Sequence, residues 1–290
     1  MAVQRRYCCT IGFFDGVHLG HRHLFRQLHQ YASDEGLQPV IYTFRQHPLE
    51  VLRGKAPAML TTWAERLAML QTFAEVRVLD FREVQHLTAE QFMHRLHGVE
   101  GVEMLLMGYD HHFGSDRLTD FADYQRIASH MGLRVRHAVE CIDGGEPISS
   151  SRIRRAIESG HIEDANRMLG YEYAISGRVI HGNGIGRSIG FPTANIDYPC
   201  EKLLPLSGVY AAAMGQHSAI VNVGNNPTVG NPQSSVEAHI LNYRGSLYDQ
   251  QLTIQFRRFI RSEQHFRSLA ALTEQIRSDI RTAFSVGRDK

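Results

Sequence analysis

The feature that most restricts the folds open to this chain is a change of texture near Tyr171. Before it, short apolar runs at 7–11, 39–44, 76–79, 102–107 and 133–136 alternate with stretches of helical periodicity. Leu24, Phe25, Leu28, Tyr31 and Ala32 form the first such stretch, Thr62 with Glu65 reads as a capping box that opens a second, and residues 88–91 open another. Strands alternating with helices predict a parallel sheet covered on both faces. Residues 156–169 read as two short helices split at Gly160. Beyond Tyr171 the segments are short, β-rich and separated by Gly, Pro and Asn, with strands expected at 175–180, 209–214, 219–223, 235–241 and 251–256. That spacing predicts a small antiparallel barrel or sandwich. Leu269, Leu272, Ile276, Ile280 and Phe284 predict a closing amphipathic helix packed on it. The expected domains are 1–170 and 171–290.

Composition narrows the classes of function. At 290 residues the chain can bury two cores, and 43% hydrophobic with 21% charged residues is ordinary for a soluble protein. A net charge of +1 gives no reason to expect a nucleic-acid or membrane partner. No apolar run approaches the ~18 residues of a spanning helix. Arg5 and Arg6 are not followed by the apolar core of a signal peptide. Cys8, Cys9, Cys141 and Cys200 make no C-x-x-C pair, so idle thiols in a reducing cytoplasm are expected. The expected state is a monomer or weak homo-oligomer.

Two stretches carry chemistry in the first half. Gly12-Phe13-Phe14-Asp15-Gly16-Val17-His18-Leu19-Gly20-His21 lies between the first strand and the first helix, whose N-terminus offers free amides and a dipole to an anion. His18 and His21 add donors that can become cationic. In such sheets ligands bind beyond the carboxyl ends of the strands. The turns at 43–48 and 108–114 also follow strands and are expected to converge there. The second stretch, Ile148-Ser149-Ser150-Ser151-Arg152-Ile153-Arg154, puts hydroxyls and guanidinium groups at a helix start, a combination suited to a triphosphate.

In the second half the centre is Gly182-Asn183-Gly184-Ile185-Gly186-Arg187-Ser188-Ile189-Gly190-Phe191-Pro192-Thr193-Ala194-Asn195. No Gly-Lys-Ser/Thr ends it, so it is not a Walker loop, and Pro192 with the β texture excludes a dinucleotide fingerprint. Thr193 and Asn195 offer oxygens to a hard cation such as Mg²⁺. On the strand expected at 235–241, Glu237 and His239 share one face, opposite Val236 and Ala238.

The first of these strings resembles the G-x-F-D-G-x-H-x-G-H motif of the bacterial FAD synthetase family, the flavin members of the His-x-Gly-His nucleotidyltransferases. Residues 148–154 resemble that family's second nucleotide motif, with Ser151 in place of threonine. Residues 190–195 are similar to the Gly-Phe-Pro-Thr-Ala-Asn mark of the riboflavin kinase family. Residues 222–228 and 235–241 resemble its next turn and its acidic strand, and 258–261 its last strand end. Four departures stand out: His111 and His112 replace Phe and a basic residue, Arg66 replaces lysine, and Asp249 replaces glycine in Leu-Tyr-Gly.

The resemblance implies an α/β parallel-sheet, Rossmann-like FMN adenylyltransferase domain followed by a riboflavin kinase-like antiparallel β-barrel. It implies a bifunctional enzyme that phosphorylates riboflavin to FMN and then adenylylates FMN to FAD, with ATP as co-substrate. His18, His21 and Arg154 would act on phosphate in the first half, and Glu237 as base in the second. Gly12, Phe13, Asp15, Gly20, Ser149, Ser150 and Ser151 would hold one nucleotide. Gly182, Gly184, Gly186, Gly190 and Pro192 would hold the other, with Mg²⁺ on Thr193 and Asn195. Asp110, His47 and Arg261 would contact flavin. The alternatives are a chain retaining only one activity, a flavin-binding regulator without catalysis, and a nucleic-acid-binding barrel on another nucleotidyltransferase.

Overall fold

Strand β1 (Tyr7–Ile11) is buried at every position, because both of its faces are covered. In this computed structural model, which describes residues 6–182, 185–224 and 235–286, the chain divides into two compact units, Met1–Ser150 and Ser151–Lys290. In the first unit β1 leads through a 3₁₀ turn (Asp15–Val17) to α1 (Leu19–Asp34) and β2 (Gln38–Phe44). Then come α2 (Pro48–Arg53), α3 (Trp63–Gln71), β3 (Glu75–Leu79), α4 (Phe81–Val84) and α5 (Ala89–Gly98). Next are β4 (Val102–Met107), α6 (Phe121–His130), β5 (Arg134–His137) and a small hairpin of β6 (Ile142–Asp143) and β7 (Glu146–Pro147).

The five strands run parallel in the order β3-β2-β1-β4-β5. Chain order reverses between β1 and β4, so the crevice for a ligand opens at the carboxyl end of β1. Side-chain alternation splits the core. Cys8 packs with Phe25 and Leu28 of α1 and Leu70 of α3, while Cys9 and Ile11 pack with Phe92 and Leu96 of α5. Burial pushes the Cys8 thiol up to about 12, so it stays protonated and unreactive. Thr62 forms the expected capping box, and Thr88 forms a second with Gln91.

Helix α7 (Ser150–Glu158) starts at the last residue of the first unit, and α8 (Ile162–Leu169) follows. The second unit continues with β8 (Ala174–Ile180), α9 (Ile185–Ser188), β9 (Ala194–Asp197), β10 (Gly208–Met214) and β11 (His217–Gly224). It ends with β12 (Ser235–Ile240), β13 (Gln251–Arg261) and α10 (Leu269–Val286). Strands β10-β11-β12-β9-β8-β13 close into a barrel, antiparallel throughout. Closure resolves the barrel-or-sandwich choice and leaves no free edge among these strands. Val209, Ala211 and Ile220 cluster with Ile280 and Ala283, so α10 covers the outer face of β10 and β11. The Phe284 side chain, predicted to share this face, lies outside the described residues. Helix α8 is pinned to β13 by Asn166 Nδ2, which donates to Phe256 O at 2.8 Å.

Besides the β6–β7 hairpin, four elements among the described residues were not expected from the sequence. β9 contains Asn195 and Asp197, poor strand formers, and is a strand because β8 and β12 pair with it on either side. α2, α4 and α9 are single turns or little more, too short to show periodicity.

Candidate active sites

In the first unit the motif after β1 is a strained turn held from outside. Phe14 (φ 59°) and Val17 (φ 37°) occupy the left-handed region, which is unusual for any side chain and most of all for a β-branched one. At Gly12 a Cβ would lie 2.7 Å from the Phe14 ring. The Asp15 carboxylate is buried and accepts from Leu60 N (2.9 Å), Thr61 N (3.0 Å) and Thr61 Oγ1 (2.9 Å). Thr61 Oγ1 accepts from Gly16 N at 3.0 Å, and Ser150 Oγ donates to Asp15 O at 3.0 Å. The second motif thus touches the first. At Gly20 a Cβ would come within 3.0 Å of both His18 Nδ1 and Ile148 O, so glycine lets the two segments approach.

His18 caps α1, its Nδ1 accepting from His21 N at 3.3 Å. The proton of the neutral ring therefore sits on Nε2, a donor. The rings of His18 and His21 stack with centroids 3.5 Å apart. Burial, reinforced by His18, holds His21 well below the usual imidazole value, and its buried Nδ1 has no partner. The pair expected to become cationic is thus kept neutral at His21 in the free protein; an arriving phosphate acts in the opposite direction.

The turn after β2 joins this site. Thr43 Oγ1 donates to Phe13 O (3.3 Å), and the His47 ring meets Phe13 edge-on at 4.6 Å. His47 also caps α2, its Nδ1 accepting from Leu49 N at 3.1 Å. Asp110 is exposed in the turn after β4, the strand beside β1. Ser151 and Arg154 continue α7 in the second unit.

In the barrel the site is built by register. Asn195 pairs with Glu237, Glu237 with Asn222, Asn222 with Val209, and Val209 with Arg261. Paired residues share a face, here the outer one that α10 covers further along. Thr193 Oγ1 donates to Glu237 Oε2 at 3.4 Å. Burial pushes the Glu237 carboxyl above the usual carboxylate range, and the Thr193 bond partly offsets this. His239 Nδ1 lies 2.8 Å from Pro192 O, which fixes the Pro-Thr-Ala-Asn segment on β12.

Glycines make this packing possible. A Cβ at Gly182 would lie 2.1 Å from Asn195 Nδ2, and one at Gly186 2.3 Å from Phe191 O. Gly190 has φ +87°. Gly184 lies outside the described residues, as do residues 225–228 of the predicted turn. Thr193 and Asn195 bring hard oxygen donors beside a carboxylate, a set that fits Mg²⁺. The Arg261 guanidinium forms a largely buried bidentate pair with Asp279 of α10 at 2.8–3.1 Å, which secures that helix next to the row.

The structure adds supporting contacts that the sequence reading did not give. Arg66 is 1% exposed, lies 3.8 Å over the Phe13 ring and donates to Phe44 O at 2.9 Å. Burial lowers its guanidinium to about 10, which leaves it charged at neutral pH. Thr61 holds Asp15 from 46 residues away, a partnership no local pattern encodes. In the barrel, Arg187, Pro192, Thr193, Tyr243 and Tyr248 line a cavity of about 230 Å³, with His181 stacked on Tyr248 at 4.0 Å. Asp249 stands at φ 65°, a conformation natural to glycine and tolerated by aspartate, so its turn is preserved.

The FAD synthetase family matches residues 1–152, and the riboflavin kinase family matches residues 169–286. The bifunctional riboflavin kinase/FMN adenylyltransferase of Escherichia coli K12 is 36% identical over 97% of this chain and 93% of its own. The protein of the same name from Haemophilus influenzae is 36% identical over 94% of this chain and 92% of its own. A crystal structure from Streptococcus pneumoniae, titled a macrolide-efflux protein, superposes with a TM-score of 0.87 at 29% identity and covers 97% of this chain and 95% of that one. The chain belongs to the bifunctional riboflavin kinase/FMN adenylyltransferase family, with its FAD synthetase half first and its riboflavin kinase half second.

Proposed function

We propose that this chain makes FAD from riboflavin in two steps, residues 171–290 forming FMN and residues 1–170 converting it to FAD. The observation that carries the reading is that each half has its own phosphate-handling arrangement, and the barrel half adds a base. Riboflavin, FMN and ATP are the small-molecule substrates, and a cytoplasmic monomer or weak homo-oligomer is the proposed state. No helix among the described residues is long and apolar enough to cross a membrane.

In the barrel step, the riboflavin 5′-hydroxyl oxygen bonds to the γ-phosphorus of ATP while Glu237 takes the hydroxyl proton. The bridging P–O bond breaks and ADP leaves. A primary alcohol is a weak nucleophile at neutral pH, so a positioned base contributes ~10²–10⁴-fold. The raised carboxyl of Glu237 makes it a better proton acceptor than an exposed glutamate. Thr193 and Asn195 would hold Mg²⁺, which supplies charge neutralisation on the triphosphate. Gly182, Gly184, Gly186, Gly190 and Pro192 would hold that triphosphate.

In the second step a phosphate oxygen of FMN bonds to the α-phosphorus of ATP, and pyrophosphate leaves. That oxygen is already anionic, so no base is needed. What matters is stabilising charge on the transferring and leaving groups. His18 donates from Nε2, the amides at the start of α1 face the same turn, and His21, Ser149, Ser150, Ser151 and Arg154 complete the proposed set. Gly12, Phe13, Asp15 and Gly20 shape the turn, with His47 and Asp110 on the flavin side. In the barrel step Arg261 would contact flavin, and its pair with Asp279 also holds α10.

A chromatographic time course of the purified chain with riboflavin, ATP and Mg²⁺ tests both steps. FMN followed by FAD is expected. FMN that never becomes FAD, even when FMN is supplied, overturns the first-half assignment. No ATP consumption overturns both and leaves a flavin-binding regulator.

A further inference from the structure

A cavity of about 450 Å³ opens at the carboxyl ends of β4 and β5, and the adenylyl-transfer reading gives it no residue with a defined chemical task. Its wall is aromatic, with Tyr109, Phe121, Tyr124 and His137 among the lining residues. Phe121 stacks on His137 with centroids 4.6 Å apart, and Tyr124 OH ties Phe113 N and O at 3.0 and 2.8 Å, so the wall is rigid. A slot of this kind accepts a flat heterocycle by stacking.

Set into this wall is His111. Its Nδ1 is buried and has no hydrogen-bond partner. Burial lowers its imidazole to about 4, so the ring is neutral at physiological pH and carries one donor and one acceptor. With Nδ1 buried, the ring, which lines the cavity, meets a ligand through its other nitrogen. The flavin ring system presents a matching edge, in which N3–H lies between two carbonyls. Resting on the adenylyl-transfer reading above, we propose that His111 is a specificity-determining residue of this step, hydrogen-bonding the pyrimidinedione edge of FMN as the isoalloxazine stacks in this cavity.

The test compares FMN with 3-methyl-FMN, which lacks the N3 proton, on the full-length wild-type chain and on H111F and H111N. Binding is read by flavin fluorescence without ATP, and kcat/KM by FAD formation. Wild type is expected to disfavour 3-methyl-FMN by about 10-fold or more, because a site built to pair with a group rejects the analogue without it. H111F should bind FMN about 10-fold more weakly and lose the discrimination, since the bond is already absent. H111N, whose amide can hydrogen-bond in place of the imidazole, should restore part of it. Retained FAD formation at saturating FMN, with an unchanged exchange pattern in β1 and β4, shows that the first unit of each variant is folded. Discrimination unchanged in H111F overturns the proposal while FAD formation stands. Additive losses for methylation and mutation, or discrimination arising instead when the 6-amino group of ATP is removed, also overturn it. Absence of FAD formation by wild type, by contrast, refutes the underlying reading.

Discussion

The two halves handle phosphate by different structural means. In the parallel-sheet half the site is a backbone turn, with Phe14 and Val17 at positive φ and Asp15 buried under the amides of residues 60 and 61. In the barrel half it is a row of side chains set by strand register, Asn195, Glu237 and Asn222, with no such strain in the strands. The difference follows the chemistry. Adenylyl transfer from an anionic phosphate needs oriented donors, which a turn and a helix start provide. Phosphorylating an alcohol needs a base of adjusted proton affinity, which a half-buried side chain on a strand provides.

The largest expected effect separates the halves most sharply. Glu237→Gln should lower riboflavin phosphorylation by ~10²–10⁴-fold and leave FMN-to-FAD conversion within about twofold. Parallel loss of both activities would show that the halves are not chemically independent. The next effect is the mirror image. His21→Ala should reduce FAD formation by roughly 10²–10³-fold, the loss seen when one preorganised donor to a charged transition state is removed, with FMN formation retained. A His21→Ala chain that makes FAD at the wild-type rate removes the histidine pair from the mechanism. Gly182→Ala tests the packing side of the comparison. Its Cβ would lie 2.1 Å from Asn195 Nδ2, so it should displace that amide and lower kcat/KM for ATP in the kinase step by on the order of 10-fold. The drop should be largest at low Mg²⁺. An equal drop at every Mg²⁺ concentration would detach Asn195 from the metal.

The same contrast explains what could be read from the sequence. Periodicity and caps located the parallel strands and the main helices because each is a local pattern, as at Thr62 and Thr88. Strand order was not legible, since nothing in β4 states that it pairs with β1 rather than β3. β9 was missed because Asn195 and Asp197 oppose strand formation and only their neighbours impose it. The residue types of both sites were visible as motifs, but their supports were not. Thr61 under Asp15 and Arg66 over Phe13 are contacts across the fold, and burial, which makes His21 neutral and Glu237 basic, is a property of the packed chain.

Burial also gives the smallest effect, one of opposite sign in the two halves. His111 folds with its imidazole lowered from 6.5 to about 4, so its contribution to stability is full above 6.5 and is lost as pH falls toward about 4. Glu237 folds with its carboxyl above 4.5, so its contribution is full below 4.5 and is lost as pH rises through the raised value. Replacing each group with one that does not titrate should expose this. Relative to wild type, H111F should gain stability as pH falls below 6.5, and E237Q should gain it as pH rises above 4.5. Hydrogen exchange read separately in β4 and β12 at a series of pH values measures both differences. If the two run the same way with pH, burial does not act on these groups in opposite senses, and the division between a neutral donor site and a basic carboxylate site loses its physical cause.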